Sequence, residues 1–403
     1  MSLNATPSAN RTHIAFFGRR NAGKSSVVNA VTGQQLSIVS EVRGTTTDPV
    51  QKAMELLPLG PVVIIDTPGI DDEGALGAQR VARTRRVLNK ADIAVLVIDA
   101  AQGLTPVDQE LTDLFRTRDL PYLLVYNKSD LACPEDLPEN ALAVSALHGE
   151  GIHELKERLA HLANTGKKEK PLVADLLSPG DTVVLVVPID SAAPKGRLIL
   201  PQQQVIRDAL EADALPMICR ESELAAALDK LIQPPCMVIT DSQAFREVAA
   251  IVPPEIPLTS FSILMARYKG NLRTAVAGVA ALNSLQNGDP VLISEGCTHH
   301  RQCDDIGMVK LPRWIRAYTG AEPVFSWTTG TEFPEDVSGY RMVIHCGGCM
   351  LNEREMQYRF RSALSQGVPI TNYGTAIARL TGILPRSLQL FPDAAALLPQ
   401  QNE

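Results

Sequence analysis

The chain has 403 residues, 45% of them hydrophobic and 21% charged, with a formal net charge of −7. That length exceeds one ordinary core and predicts two to four domains, and the acidic balance argues against the broad basic footprint of a nucleic-acid binder. No apolar run approaches membrane-spanning length, and the polar start MSLNATPSAN lacks the order of a signal peptide, so a cytoplasmic location away from membranes is expected.

From His13 to about Ala163 the apolar runs HIAFFG, VVIIDT, IAVLVID, YLLVYNK and LAVSA alternate with amphipathic stretches such as KSSVVNAVTG and AQRVARTRRVLNK. Strands separated by helical connectors predict a parallel sheet covered on both faces, an α/β domain over 1–165. The first run leads into Gly18-Arg19-Arg20-Asn21-Ala22-Gly23-Lys24-Ser25, a G-x-x-x-x-G-K-S phosphate loop between a strand and a helix. Its backbone N–H groups and the helix start favour an anion. Lys24 is placed for the β- and γ-phosphates and Ser25 for Mg²⁺, with Gly18, Asn21, Ala22, Gly23 and Ser26 completing the cradle. Asp66-Thr67-Pro68-Gly69 closes VVIIDT; Asp66 suits Mg²⁺ through water and the Gly69 N–H suits the γ-phosphate. Asn127-Lys128-Ser129-Asp130 closes YLLVYNK, and the Asp130 carboxylate can accept two hydrogen bonds that guanine offers and adenine does not. Ser145-Ala146 follows the next strand, where a backbone contact to the guanine carbonyl belongs.

These motifs resemble those of the Era/TrmE-like P-loop GTPases over roughly the first 165 residues. The resemblance implies switch I at Gly44-Thr45-Thr46-Thr47-Asp48, with Thr46 on Mg²⁺ and the γ-phosphate; Lys24, Thr46 and Gly69 are then the catalytic set. It also implies that Asn21 ligates K⁺ near the phosphates. Ile70 stands where a water-orienting glutamine often sits, which predicts slow GTP hydrolysis stimulated by K⁺.

The polar stretch NTGKKEKPL predicts a linker at 166–180. TVVLVVPI, LPMICR, CMVITDS and IPLTSF then predict a small α/β domain over 181–261 with no catalytic motif, suited to association. A third α/β part, 262–403, opens on one long Ala-rich helix, ILMARYKGNLRTAVAGVAALNSL, and continues with strands in PVLISE, PVFSW, YRMVIH and VPITNY.

Of the seven cysteines, Cys133, Cys219 and Cys236 are scattered, whereas Cys297, Cys303, Cys346 and Cys349 share two short segments with His299, His300 and His345. Disulfides are rare in the expected compartment, so these are thiols or metal ligands. Each segment follows an apolar strand, PVLISE or YRMVIH, and strand carboxyl ends are where ligand sites gather in open α/β sheets. Cys297, Cys346 and Cys349 form an incomplete thiolate cage. Its fourth position is open to His299, His345, Asp304 or an external ligand, and spacing alone leaves an iron–sulfur cluster and a Cys₃His zinc site both standing.

The whole arrangement resembles the HydF family of [FeFe]-hydrogenase maturation GTPases. That resemblance implies a [4Fe–4S] cluster on Cys297, Cys346 and Cys349 with an exchangeable fourth ligand, and 181–261 as a dimerisation domain joining two copies into a homodimer. It implies a scaffold that receives a transient [2Fe] subcluster precursor made with two radical-SAM maturases and passes it to apo-[FeFe]-hydrogenase. GTP, Mg²⁺ and K⁺ are the other cofactors it implies. The alternative is a tRNA-modification or ribosome-assembly GTPase with a structural zinc site.

Overall fold

Strand β1 (Thr12–Gly18) alternates its side chains between two cores: Ile14 and Phe16 enter one, Ala15 and Phe17 the other. A strand buried on both faces has to be central, and the order β2-β3-β1-β4-β5-β6 makes it so. The computed structural model describes residues 6–34, 50–69, 84–132, 136–165, 170–189, 198–296, 305–330 and 332–398. It forms two compact units, Met1–Lys168 and Glu169–Glu403.

In the first unit, β3 (Gly60–Asp66), β4 (Ile93–Asp99), β5 (Tyr122–Asn127) and β6 (Ala141–Val144) run parallel with β1. Helices α1 (Lys24–Thr32), α2 (84–90), α3 (Pro106–Thr117) and α4 (Ile152–Asn164) connect or follow them. The sequence reading missed β2 (Val50–Leu56), an antiparallel edge strand on β3. It has no apolar run because only Leu56 is buried, and its exposed Gln51, Lys52 and Glu55 suit an edge that must stay unpaired. Each large apolar side chain removed from water contributes about 1.5–3 kcal/mol. That burial secures β1, while β2 depends on its ladder and on the Arg11 guanidinium, which donates to the Met54 carbonyl at 2.9 Å.

The second unit holds two four-stranded parallel sheets. One, ordered β10-β9-β7-β8, contains β7 (Thr182–Val186), β8 (Leu215–Cys219), β9 (Met237–Thr240) and β10 (Leu258–Ser260). Helices α5 (Leu200–Glu211), α6 (Leu224–Asp229) and α7 (Phe245–Ile251) connect them. The other, ordered β12-β11-β13-β14, contains β11 (Pro290–Ser294), β12 (Val324–Thr328), β13 (Met342–His345) and β14 (Ile370–Asn372). One continuous apolar core joins the two sheets: Val184 and Ile239 of the first share it with Val291 and Ile344 of the second. On the opposite face of the second sheet, Leu292 and Val343 pack against Met356 and Phe360 of the helix Glu353–Ser365.

Two expectations change. Part of the linker is built into the second unit: Leu172 and Val173 are buried, and the N–H groups of Leu172, Val173 and Ala174 all donate to the Asp208 carboxylate. The long Ala-rich helix is broken into Phe261–Tyr268, Leu272–Gly278 and a 3₁₀ turn, Val279–Ser284. Gly270, at φ +72°, ends the first piece in the left-handed conformation common at helix ends.

The helix Leu272–Gly278 lies hard on β14. A Cβ at Gly278 would stand 2.1 Å from the Ile370 carbonyl oxygen, whereas one at Gly339 meets nothing within 4 Å. Gly278→Ala is expected to destabilise the second unit by about 2 kcal/mol, the usual cost of overpacking, and Gly339→Ala to leave it near wild type. Urea denaturation of both variants checks this.

Candidate functional site

The phosphate loop leaves β1 at Gly18 and enters α1 through Gly23, whose φ of +81° marks the left-handed region. A Cβ there would sit 2.2 Å from the Asn127 side-chain nitrogen. Asn127 needs that space: its amide donates to the Ala22 carbonyl at 3.1 Å and accepts from the Ala146 N–H at 3.1 Å. One side chain thus ties the loop after β1 to the loops after β5 and β6.

Lys24 at the start of α1 pairs with Asp66 at the end of β3, and the Ser25 hydroxyl is 3.5 Å from the same carboxylate. Asn21 takes a positive φ of +64° in the loop, and Ser26 is exposed on α1. Gly69 faces the Arg20 backbone, so its position also belongs to the loop's rim. Lys128, at φ +68°, donates to Asp99 at 2.6 Å. Burial would raise the Asp99 pKa, but Lys128 and the Ala101 and Gln102 N–H groups outweigh it and hold the carboxyl low. The Ser145 hydroxyl donates to Asp130 at 2.6 Å and lowers its pKa. Lys24, Ser25, Asp66, Asn127, Lys128, Asp130, Ser145 and Ala146 therefore gather along the carboxyl edge of one sheet. Thr46 and Ile70 lie outside the described residues.

A second edge carries sulfur. β11 and β13 are hydrogen-bonded neighbours, with Ser294 in register with His345. The Gly296 N–H donates to Cys346 Sγ at 3.1 Å, and the Gly348 N–H donates to it at 3.3 Å. Gly296 immediately precedes Cys297 in the chain. Cys297, His299 and Asp304 lie outside the described residues, as do Cys133, His300 and Cys303. Among the described residues no three His, Cys, Asp or Glu side chains form a metal-holding group. Burial pushes the Cys346 thiol up to about 11 against the two N–H donors, and raises Cys349 despite Lys269.

His345 is a candidate ligand that this arrangement takes up otherwise. Its Nδ1 is 2.8 Å from the Cys346 carbonyl and its Nε2 is 3.1 Å from Arg359 Nη1. Arg359 can only donate, so Nε2 accepts and Nδ1 carries the proton. Burial, then the Arg359 charge, lowers His345 to about 3. A neutral ring with both nitrogens engaged has no lone pair left for a metal; it braces the Cys346 backbone instead.

Three groups escaped the sequence reading. Arg359, fully buried, donates to Glu355 at 2.9 Å, to His345, and to the Gly330 carbonyl at 2.8 Å. Its signal was the i, i+4 spacing from Glu355. Glu295, beside Gly296, is buried and accepts from the Tyr373 hydroxyl at 3.0 Å. Lys269 donates to the Gly348 and Leu351 carbonyls, and burial pushes its pKa down to about 8 against the pull of Cys349 and Cys346.

Comparison with known proteins matches three stretches of the chain. Residues 13–128 match the 50S ribosome-binding GTPase family, 172–270 the hydrogen maturase F dimerization domain and 273–390 the hydrogen maturase F tetramerization domain. A tRNA modification GTPase MnmE from a Synechococcus species is 40% identical over 159 residues, covering 38% of this chain and 34% of its own length. A GTPase Der from a Bradyrhizobium species is 37% identical over 159 residues, covering 37% and 35%. The chain spans about a third of the length of these curated relatives. Among solved structures, Era from Aquifex aeolicus bound to GDP and AlF4⁻ is 22% identical, covering 52% of this chain and 93% of its own, at a TM-score of 0.35.

Removing one partner of a buried ion pair strands the other. Arg359→Met is expected to cost the second unit ~3–5 kcal/mol, and the double variant Arg359→Met/Glu355→Met to recover a large part of that loss. Denaturant unfolding of wild type, single and double variants measures the coupling.

Proposed function

Because the chain belongs to the hydrogen maturase F (HydF) family, we propose that it is a GTP-hydrolysing scaffold and carrier for an [FeFe]-hydrogenase. It assembles the diiron subcluster and delivers it to the apo-enzyme. The observation that carries this reading is the Cys346 sulfur, which receives N–H groups from Gly296 and Gly348 at the carboxyl edge of a parallel sheet. Paired backbone donors favour an anionic, metal-bound sulfur. Cys349 lies three residues on, and Cys297 follows Gly296 directly. These residues fit an iron–sulfur centre held by three thiolates.

When bound, a [4Fe–4S] cluster supplies one iron that the cysteines do not saturate, where a diiron precursor can be accepted and released. Cys297, Cys346 and Cys349 hold the cluster, and His299 and Asp304 are the candidates for the exchangeable position. Arg359 and His345 keep the Cys346 backbone fixed. Residues 181–261 join two copies into a homodimer, and 262–403 form the cluster-binding part. The protein works in the cytoplasm with two radical-SAM maturases upstream and apo-hydrogenase downstream. No described helix is long and apolar enough to cross a membrane.

In the GTPase domain, Lys24 leaves Asp66 for the β- and γ-phosphates of GTP; Ser25 and Thr46 would hold Mg²⁺, with Asp66 reaching it through water. Asp130 reads guanine, and Asn21 recruits K⁺ near the transferred phosphoryl group. Ile70 has no group to orient water, so hydrolysis is slow. Switch loops that relax after hydrolysis then control partner binding rather than cluster chemistry.

The relatives named for tRNA modification favour one other reading, an RNA-directed GTPase with a structural zinc. The net charge of −7 weighs against it.

GTP turnover is expected to be several-fold faster in K⁺ than in Na⁺ at matched ionic strength; equal rates would remove the K⁺ role of Asn21. Anaerobic reconstitution with iron and sulfide is expected to give a brown protein with an EPR signal on reduction, largely lost in Cys297→Ser. A colourless, zinc-bearing protein isolated without oxygen, or tight RNA binding, would overturn the carrier reading.

A further inference from the structure

Lys269 lies at the very end of the stretch that matches the hydrogen maturase F dimerization domain, 172–270, just before the tetramerization match begins at 273. It occupies the break between the helices Phe261–Tyr268 and Leu272–Gly278 and is 3% exposed. Its ammonium donates to the Gly348 and Leu351 carbonyls, which flank Cys349. A buried ammonium gives up its hydration, and two neutral carbonyls restore only part of it. Glu353 and, once deprotonated, Cys349 and Cys346 are the groups that oppose the loss of its charge. Glu353 already pairs with Lys170 at 2.6 Å. Both carbonyls belong to the turn that carries Cys349, so a metal-bound thiolate is the anion that this turn offers Lys269.

We propose that Lys269 is a positioning residue for the metal centre: it clamps the C-x-x-C turn by two carbonyls and sets one fixed positive charge beside Cys346 and Cys349. That charge stabilises the more negative, reduced state of the centre and raises its reduction potential. The inference rests on the reading that these cysteines hold an iron–sulfur cluster.

The test is an EPR-monitored titration, with dithionite as reductant, of the full chain reconstituted with iron and sulfide. Lys269→Gln retains N–H donors and removes the charge; Lys269→Met removes both. Lys269→Gln is expected to keep its iron while its midpoint moves to a more negative potential. Lys269→Met shows the same shift with loss of iron, and Lys269→Arg restores the midpoint toward wild type. An unchanged midpoint in either neutral variant, shown folded by circular dichroism, rejects the charge role while leaving the cluster reading intact. A wild-type chain that takes up no iron rejects the cluster reading itself, and this inference with it.

Discussion

Parallel strand pairing is the constraint from which the rest of the structure follows. Among the described strands only β2 runs antiparallel to its neighbour. Parallel strands all end on one edge, so the loops after them meet even when the sequence separates them widely. In the first unit this brings Ala22, Asn127 and Ala146 within reach of one amide, across 105 and 19 residues of sequence. In the second, it brings the Gly296 N–H to Cys346 Sγ across 50 residues. The hydrogen-bond ladders that join β1 through β4 and β5 to β6, and β11 to β13, set these meetings before any side chain contributes.

This constraint also explains what was legible in the sequence. Strands buried on both faces read as unbroken apolar runs, so β1, β4, β7, β11 and β13 stood out. The phosphate loop, Asp66, Asn127 and Asp130 were legible because nucleotide chemistry demands fixed residue types at fixed distances from strand ends. β2 was not legible, since an exposed edge strand leaves no apolar trace. The break at Gly270 was hidden by the alanines around it, although a glycine followed by asparagine is itself a stop signal. Lys269 and Arg359 were hidden for a deeper reason. Composition assigns lysine and arginine to the surface, and only tertiary packing reveals that both are buried.

The two edges solve opposite electrostatic problems. At the first, the pairs Lys24–Asp66, Lys128–Asp99 and Ser145–Asp130 each join a donor to an acidic acceptor at the loop rim. An anion entering with its cation can replace both partners of the Lys24–Asp66 pair at once, so that neither charge is stranded. At the second, Arg359 and Lys269 are buried with carbonyl, carboxylate and imidazole partners that cannot leave without stranding a charge. A site meant to cycle between nucleotides benefits from the first arrangement. A site that has to hold the turn around Cys346 and Cys349 in one geometry benefits from the second. The physical difference lies in what can replace the partners: Lys24 and Asp66 are nearly buried too, but an anion and a cation entering together satisfy both, whereas nothing entering the second edge replaces the carbonyls around Lys269.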